Sequence, residues 1–202
     1  MFIVNRHPSS RIVVSLAVAA TCAAWGVDAA AEPQTYALDP MHTYPSFEAD
    51  HFGGVSIFRG KFKRSKGSVT IDREARTGSL EATIDLSSVD SGLDTLDGDL
   101  RSANFFEVAR YPTAVYKGTE FRFEGDVPVE VIGTLTMHGV TRPVNLKIES
   151  FKCFQSGMLK RQVCGTESTA TFDRGDFGMS AGKDYGFRMQ TVLHIQAEGI
   201  LQ

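Results

Sequence analysis

Leu80, Ala82, Ile84 and Leu86 take every second position of one short run, with Glu81, Thr83 and Asp85 between them. This period-two alternation is the dominant signal along the chain. Val127, Val129, Val131, Gly133 and Leu135 repeat it. In the last segment Phe187, Met189, Thr191, Leu193, Ile195 and Ala197 fall on one face and Arg188, Gln190, His194, Gln196 and Glu198 on the other, with Val192 the exception. Such runs predict half-buried strands, apolar on one face and polar on the other. Turn-forming residues separate them: Arg64-Ser65-Lys66-Gly67, Arg76-Thr77-Gly78, Gly125-Asp126, and His138-Gly139 ahead of Thr141-Arg142-Pro143. Many short antiparallel strands of this kind predict an all-β sandwich or a closed barrel, and the pattern does not choose between the two. No helical crossovers support a parallel sheet, and no fixed-period repeat suggests a propeller or solenoid.

The alternation stops between Ser88 and Pro112. Ser91, with Asp94 three residues on, suits a helix start, and Leu93, Leu96 and Leu100 recur at helical spacing as one apolar stripe. The stripe leads into Phe105-Phe106 and then Tyr111-Pro112. One reading is a lid or plug over an apolar interior. The other is a surface helix stapled to the core by its two phenylalanines.

The first residues change the picture of where the chain works. Arg6, His7 and Arg11 precede an uncharged, mostly apolar run from Ile12 to Val27, and Ala29-Ala30-Ala31 supplies the small residues of a signal-peptidase site. Residues 1–31 are therefore predicted to be a signal peptide, with 32–202 the exported domain. The apolar run is short for a bilayer span, so no stable membrane span is expected after cleavage. Thr21-Cys22 fits a lipoprotein site poorly. Residues 32–202 amount to one domain, without a Pro- or Gly/Ser-rich linker. A net charge of −3 with scattered Lys and Arg leaves no basic footprint for nucleic acid, and a homodimer is left open.

After residue 31 two cysteines remain, Cys153 and Cys164, and in an oxidising compartment they are expected to form a disulfide. They are placed at the ends of two strands joined by a hairpin loop. No catalytic constellation is legible: there is no G-x-S-x-G elbow, H-E-x-x-H or phosphate loop, and Asp176-Phe177-Gly178 reads as a turn. His42 and His51 are close enough in sequence to converge on a curled strand, yet spacing indicates no third ligand, so no metal site and no cofactor are expected. The chain does carry a surplus of aromatic residues, among them Phe47, Phe52, Phe58, Phe62, Phe105, Phe106, Phe121, Phe123 and Phe187. A barrel's interior can be filled by such side chains or left open around a ligand.

Several segments resemble, in order, the motifs of the YceI-like family: Tyr36-Ala37-Leu38-Asp39-Pro40 with His42-Thr43 and then His51; Arg59-Gly60-Lys61-Phe62; Asp99-Leu100-Arg101-Ser102 with Asn104-Phe105-Phe106 and Tyr111-Pro112; Gly133 through Val144; and Arg174-Gly175-Asp176-Phe177-Gly178. The resemblance implies a periplasmic, lipocalin-like antiparallel barrel of about eight strands, a helical segment near one end, and a polyisoprenoid or similar long apolar molecule inside. It also implies a binding or carrier protein rather than an enzyme, for an isoprenoid lipid or quinone-like amphiphile. The alternative is a secreted structural or interaction protein with a filled barrel; a secreted enzyme is the weaker third. Combining strand alternation with the resemblance places Phe47 and Phe58 on the wall, Phe105 and Phe106 at the mouth, and His51 or Arg101 near a polar head. Two features depart from the family: Leu96-Asp97-Gly98-Asp99-Leu100 stands where many relatives have an Arg-Asp pair before the leucine, and the Cys153/Cys164 pair looks like a subgroup feature.

Overall fold

A computed structural model describes residues 1–3 and 32–202. The expected signal peptide therefore lies, beyond its first three residues, outside the described residues. Twelve strands follow in order: β1 (Gln34–Leu38), β2 (Tyr44–His51), β3 (Ser56–Phe62), β4 (Ser65–Asp72), β5 (Thr77–Asp85), β6 (Val89–Asp90), then helix α1 (Asp94–Arg101), then β7 (Thr113–Glu124), β8 (Val127–Met137), β9 (Val140–Pro143), β10 (Leu146–Ser156), β11 (Arg161–Asp173) and β12 (Gln190–Leu201).

The twelve strands make eight staves, because β1 runs on into β2, β3 into β4, β5 into β6 and β9 into β10 with only short breaks. Each stave pairs antiparallel with the next in sequence. The last closes on the first: β12 pairs with β1 through Gly199–Leu201 and with β2 through Thr191–Gln196. The molecule is thus a closed, eight-stave, up-and-down barrel with one short helix. Closure leaves no long open edge except along the outer half of β3, beyond its short pairing with β6.

The alternation read from the sequence explains why the sheet curls inward. Leu80, Ala82, Ile84 and Leu86 all face the interior, as do Leu193, Ile195 and Ala197. The run from Val127 to Leu135 is not uninterrupted, however. The pairing of β7 with β8 shifts between Arg122 and Phe123, opposite Glu130 and Pro128, which leaves Val129 as an extra residue. This bulge flips the pleat, so Pro128 turns inward and is fully buried while Val127 is exposed.

One end of the barrel carries the β4–β5, β7–β8 and β10–β11 turns, and the other carries the long connections together with one two-residue turn. The β8–β9 turn uses His138 (φ +53) and Gly139 (φ +75), the paired left-handed conformation of a two-residue hairpin. At the same end stand the β2–β3 hairpin tip, the insert 91–112 and the connection 174–189. Asp176-Phe177-Gly178 is a turn: Arg174–Phe177 form a 3-10 turn that Gly178 terminates in the left-handed region, with Phe177 buried beneath.

Two details of the insert correct the sequence expectation. Ser91 does not pair with Asp94. Its backbone N–H and its hydroxyl both donate to Asp97 Oδ1, each at 2.7 Å, so the buried Asp97 of the first turn ties the approach to the helix. Only Leu96 and Leu100 of the stripe pack inward, and Leu93, at the N-cap, is exposed. The cysteines are likewise not at strand ends: Cys153 and Cys164 are register partners inside the β10–β11 ladder, three residues short of the turn on each strand, and they form a disulfide.

Candidate ligand cavity

The inner faces of the staves do not meet. They enclose a cavity of about 310 Å³ whose wall is almost wholly apolar, a size within the usual range of roughly 300–1,000 Å³ for small-molecule sites. It extends from Tyr36, Ile71, Phe121 and Cys164 near the tight-turn end to Phe58, Phe105 and Phe187 at the other. The aromatic surplus is thereby assigned. Phe47, Phe58, Phe62, Phe105, Phe106, Phe121 and Phe187 all touch the cavity, whereas Phe52 is half exposed outside it.

Of the six residues expected at a ligand, four line the cavity. Phe47 is buried on β2, its ring 5.8 Å from that of Phe62, and Phe62 in turn meets Phe106 edge-on at 5.6 Å. Gly60 opposite makes room for Phe47, since a Cβ there would stand 2.6 Å from the ring. Phe58 lies on β3 at the rim, and Phe105 and Phe106 follow the helix across the mouth. His51 is beside the opening rather than in it, enclosed by Phe52, Phe58 and Phe187 at centroid distances of 4.4, 4.5 and 5.1 Å. Arg101 is directed elsewhere: its guanidinium donates to the carbonyls of Ser87 and Val89, both at 3.0 Å, and stands 3.7 Å from Asp97. Those bonds anchor the insert to the end of β5 and β6.

The mouth also holds polar groups that the sequence pattern did not single out. Arg174 is buried, lines the cavity, and donates to the carbonyls of Met179 (2.7 Å) and Ala181 (2.6 Å) while its guanidinium lies over the Phe105 ring at 5.6 Å. No carboxylate forms an ion pair with it among the described residues, and burial draws its pKa down. Two positions away across the ladder, Thr191 is 6 % exposed and faces the cavity, with no hydrogen-bond partner for its hydroxyl among the described residues. Their signal was present but ambiguous: Thr191 reads as one polar interruption of an apolar face, and Arg174 as the first residue of a turn. His138 fastens this end together. Its Nδ1 bonds the Phe177 carbonyl at 3.0 Å, its Nε2 stands 3.4 Å from Glu107, and its ring packs 4.7 Å from Tyr111, so three connections converge on one side chain.

No histidine lines the cavity among the described residues. His42 and His51 lie far apart, at the β1–β2 break and the mouth. His42 instead joins Asp39 (2.7 Å) and Glu198 (4.0 Å) on the outer wall, the one His/carboxylate group among the described residues with ligand atoms close enough for a cation. Its largest contact is the hydrogen bond to Asp39, which raises the imidazole pKa and lowers that of the carboxyl.

The architecture is a closed antiparallel barrel around an apolar, aromatic-rimmed cavity. The chain belongs to the YceI-like family, whose domain model matches residues 36–198. A UPF0312 protein of Pseudomonas aeruginosa is 33% identical over 164 residues, 80% of this chain and 83% of the relative. Another, from Vibrio cholerae, is 29% identical over 174 residues, 85% of this chain and 89% of the relative. Among solved structures, Burkholderia cenocepacia BcnA superposes with a TM-score of 0.64 at 19% identity, covering 80% of this chain and 98% of that one. A polyisoprenoid binding domain from Saccharophagus degradans, implicated in plant cell wall breakdown, gives 0.61 at 20% identity over 83% of this chain and 98% of that one. These superpositions establish the shared fold.

Proposed function

We propose that this protein is an exported, periplasmic carrier or scavenger that holds a long-chain isoprenoid lipid or a quinone-like amphiphile inside its barrel. The observation that carries this reading is the unfilled cavity of about 310 Å³, apolar along its wall and crossed at its mouth by Phe105 and Phe106. A barrel filled by its own side chains would have no such space. The charged start, apolar run and Ala-Ala-Ala exit of residues 1–31 support export. The polyisoprenoid-binding neighbour of the same fold supports the ligand class.

Energetics favour a tail-inward pose. Each buried methylene contributes about 0.8 kcal/mol, so some twenty give a gross gain on the order of 15 kcal/mol before the costs of association and ordering. A charge-assisted hydrogen bond to a head group adds about 1.5 to 3 kcal/mol. The tail therefore supplies affinity and the head supplies orientation. Phe47 and Phe58 serve as wall, Phe105 and Phe106 as mouth, and Arg174 and Thr191 as the polar contacts nearest a head group, with His51 at the rim and Arg101 positioning the insert.

Protein purified from its own compartment, extracted with organic solvent and analysed by mass spectrometry, is expected to yield an isoprenoid or quinone in substantial molar ratio. A lipid-free extract, together with failure of the purified protein to take up a long-chain isoprenol, overturns the reading.

A further inference from the structure

The mouth carries an apolar surface that the cavity does not use. The β2–β3 hairpin tip presents Phe52 at 51 % exposure, Val55 at 79 % and Ile57 at 49 %, and Tyr185 of the neighbouring connection is 76 % exposed. Phe52 adopts a left-handed backbone (φ +48) that a phenylalanine rarely takes. It is held outward on a platform formed by His51 and Phe187, whose rings lie 4.4 and 4.7 Å from its own. The hairpin is braced from below: Asp50 accepts from the backbone of Gly53 and Arg188, and the Arg188 guanidinium donates to the Gly53 carbonyl at 2.8 Å. Large apolar side chains held in solvent by a braced turn form an interaction surface rather than a stray core residue.

The charges around this tip identify the partner. In both arginine–carboxylate pairs of the hairpin the cation is the outer member: Arg59 is 67 % exposed against 27 % for Glu48, and Arg188 is 68 % exposed against 9 % for Asp50. Lys183 and Asp184, both exposed beside Tyr185, offset one another, so the outward charge near the tip is that of Arg59 and Arg188. Asp94 and Asp99, exposed on α1, are separated from the hairpin by β6. An apolar tip flanked by two outward arginines matches the interface of a bilayer containing anionic lipid, where apolar side chains enter the acyl boundary and cations meet the head groups.

We propose that the β2–β3 hairpin docks this protein on an anionic membrane surface, with Phe52, Val55 and Ile57 in the interface. Phe58, on the same hairpin, lines the cavity, so docking sets the mouth against the lipid from which cargo enters or to which it leaves. This use of the surface rests on the carrier reading; the docking itself does not require it.

The test uses vesicles of three parts phosphatidylethanolamine to one part phosphatidylglycerol, with phosphatidylcholine vesicles as the zwitterionic comparison. The chain's one tryptophan is Trp25, so Phe52→Trp places the only indole outside residues 1–31, and the parent protein serves as the blank. The indole emission is expected to shift to shorter wavelength on anionic vesicles, with co-flotation at least threefold greater than on phosphatidylcholine and reduced by high salt. The double substitution Val55→Ser with Ile57→Ser replaces no residue that lines the cavity. It is expected to lower vesicle binding at least tenfold while binding of a soluble apolar fluorophore stays unchanged, which also verifies the fold. No emission shift and no flotation, or vesicle binding by the double variant equal to that of the parent, overturns the proposal. Failure of the fluorophore and of long-chain isoprenol to bind the parent overturns the carrier reading, whatever the vesicles show.

Discussion

Gly133 is held as tightly by its surroundings as any buried phenylalanine. A Cβ there would stand 2.5 Å from both the Tyr116 hydroxyl and the Lys117 carbonyl. Tyr116 fills that space to donate to the Val144 carbonyl at 2.9 Å, where β9 gives way to β10, and burial pushes its phenol well above the ordinary range. Gly133→Ala is expected to cost about 1–3 kcal/mol through overpacking, and Tyr116→Phe about 1 kcal/mol through the lost hydrogen bond, both read from urea unfolding. His42 provides a pH-dependent counterpart. Its imidazole pKa is raised above the ordinary 6.5 by Asp39, so the stabilisation is fully present below that value and is lost as pH rises through the higher folded value. The Asp39 carboxyl is lowered chiefly by the same bond, and its contribution is lost only as pH falls through its depressed folded value. As pH rises from below 6.5 through the raised folded value, the parent is expected to lose stability that the His42→Ala variant does not lose, in thermal melts over a pH series. The alternation could place Gly133 on a strand, but its contact with Tyr116 joins two strands and has no signature in either one alone.

At the scale of elements, the insert and the β10–β11 hairpin carry the clearest expectations. Phe105 and Phe106 together close the mouth, so the folded double alanine variant is expected to bind a long isoprenol at least about tenfold more weakly, roughly 1.4 kcal/mol, in fluorescence titrations. A short apolar probe confined to the inner wall should change less, which separates a mouth from a mere staple. Where the double variant does not fold, single substitutions to Leu answer the same question. The disulfide closes a loop of separation 11, for which chain entropy gives up to about 3 kcal/mol. Reduction is expected to lower the denaturation midpoint by no more than that and to leave the barrel folded, because Cys153 and Cys164 are already aligned by the ladder. The helix was legible from the spacing of Leu96 and Leu100. Its true tether, Asp97, was not, because a carboxylate reaching back to Ser91 leaves no periodic trace. The bulge at Val129 was equally hidden, since counting every second residue assumes a pleat that never slips.

At the scale of the whole molecule, alternation announced a curled antiparallel sheet but could not distinguish sandwich from barrel. That choice depends on whether the first and last staves meet, and only the ordered motifs of the family pointed to closure. Nor did any residue pattern measure the space left inside, because an inward phenylalanine looks the same in sequence whether it meets another ring or a void. Filling that void is a direct check. Ala82→Phe projects a ring from β5 into the cavity and is expected to reduce isoprenol uptake at least tenfold with little loss of thermal stability, since the ring occupies empty space.

The double pairing of β12 has a kinetic side. Tyr36 and Leu201 are register partners although nearly the whole described chain runs between them, and Phe47 meets Leu193 across the same seam. Contacts so distant in sequence pair slowly, because the entropy of closing a long loop is lost before the contact rewards it. Until that seam zips, the seven preceding staves are an open sheet with its greasy face in water. The interior therefore comes into existence in one late, cooperative event.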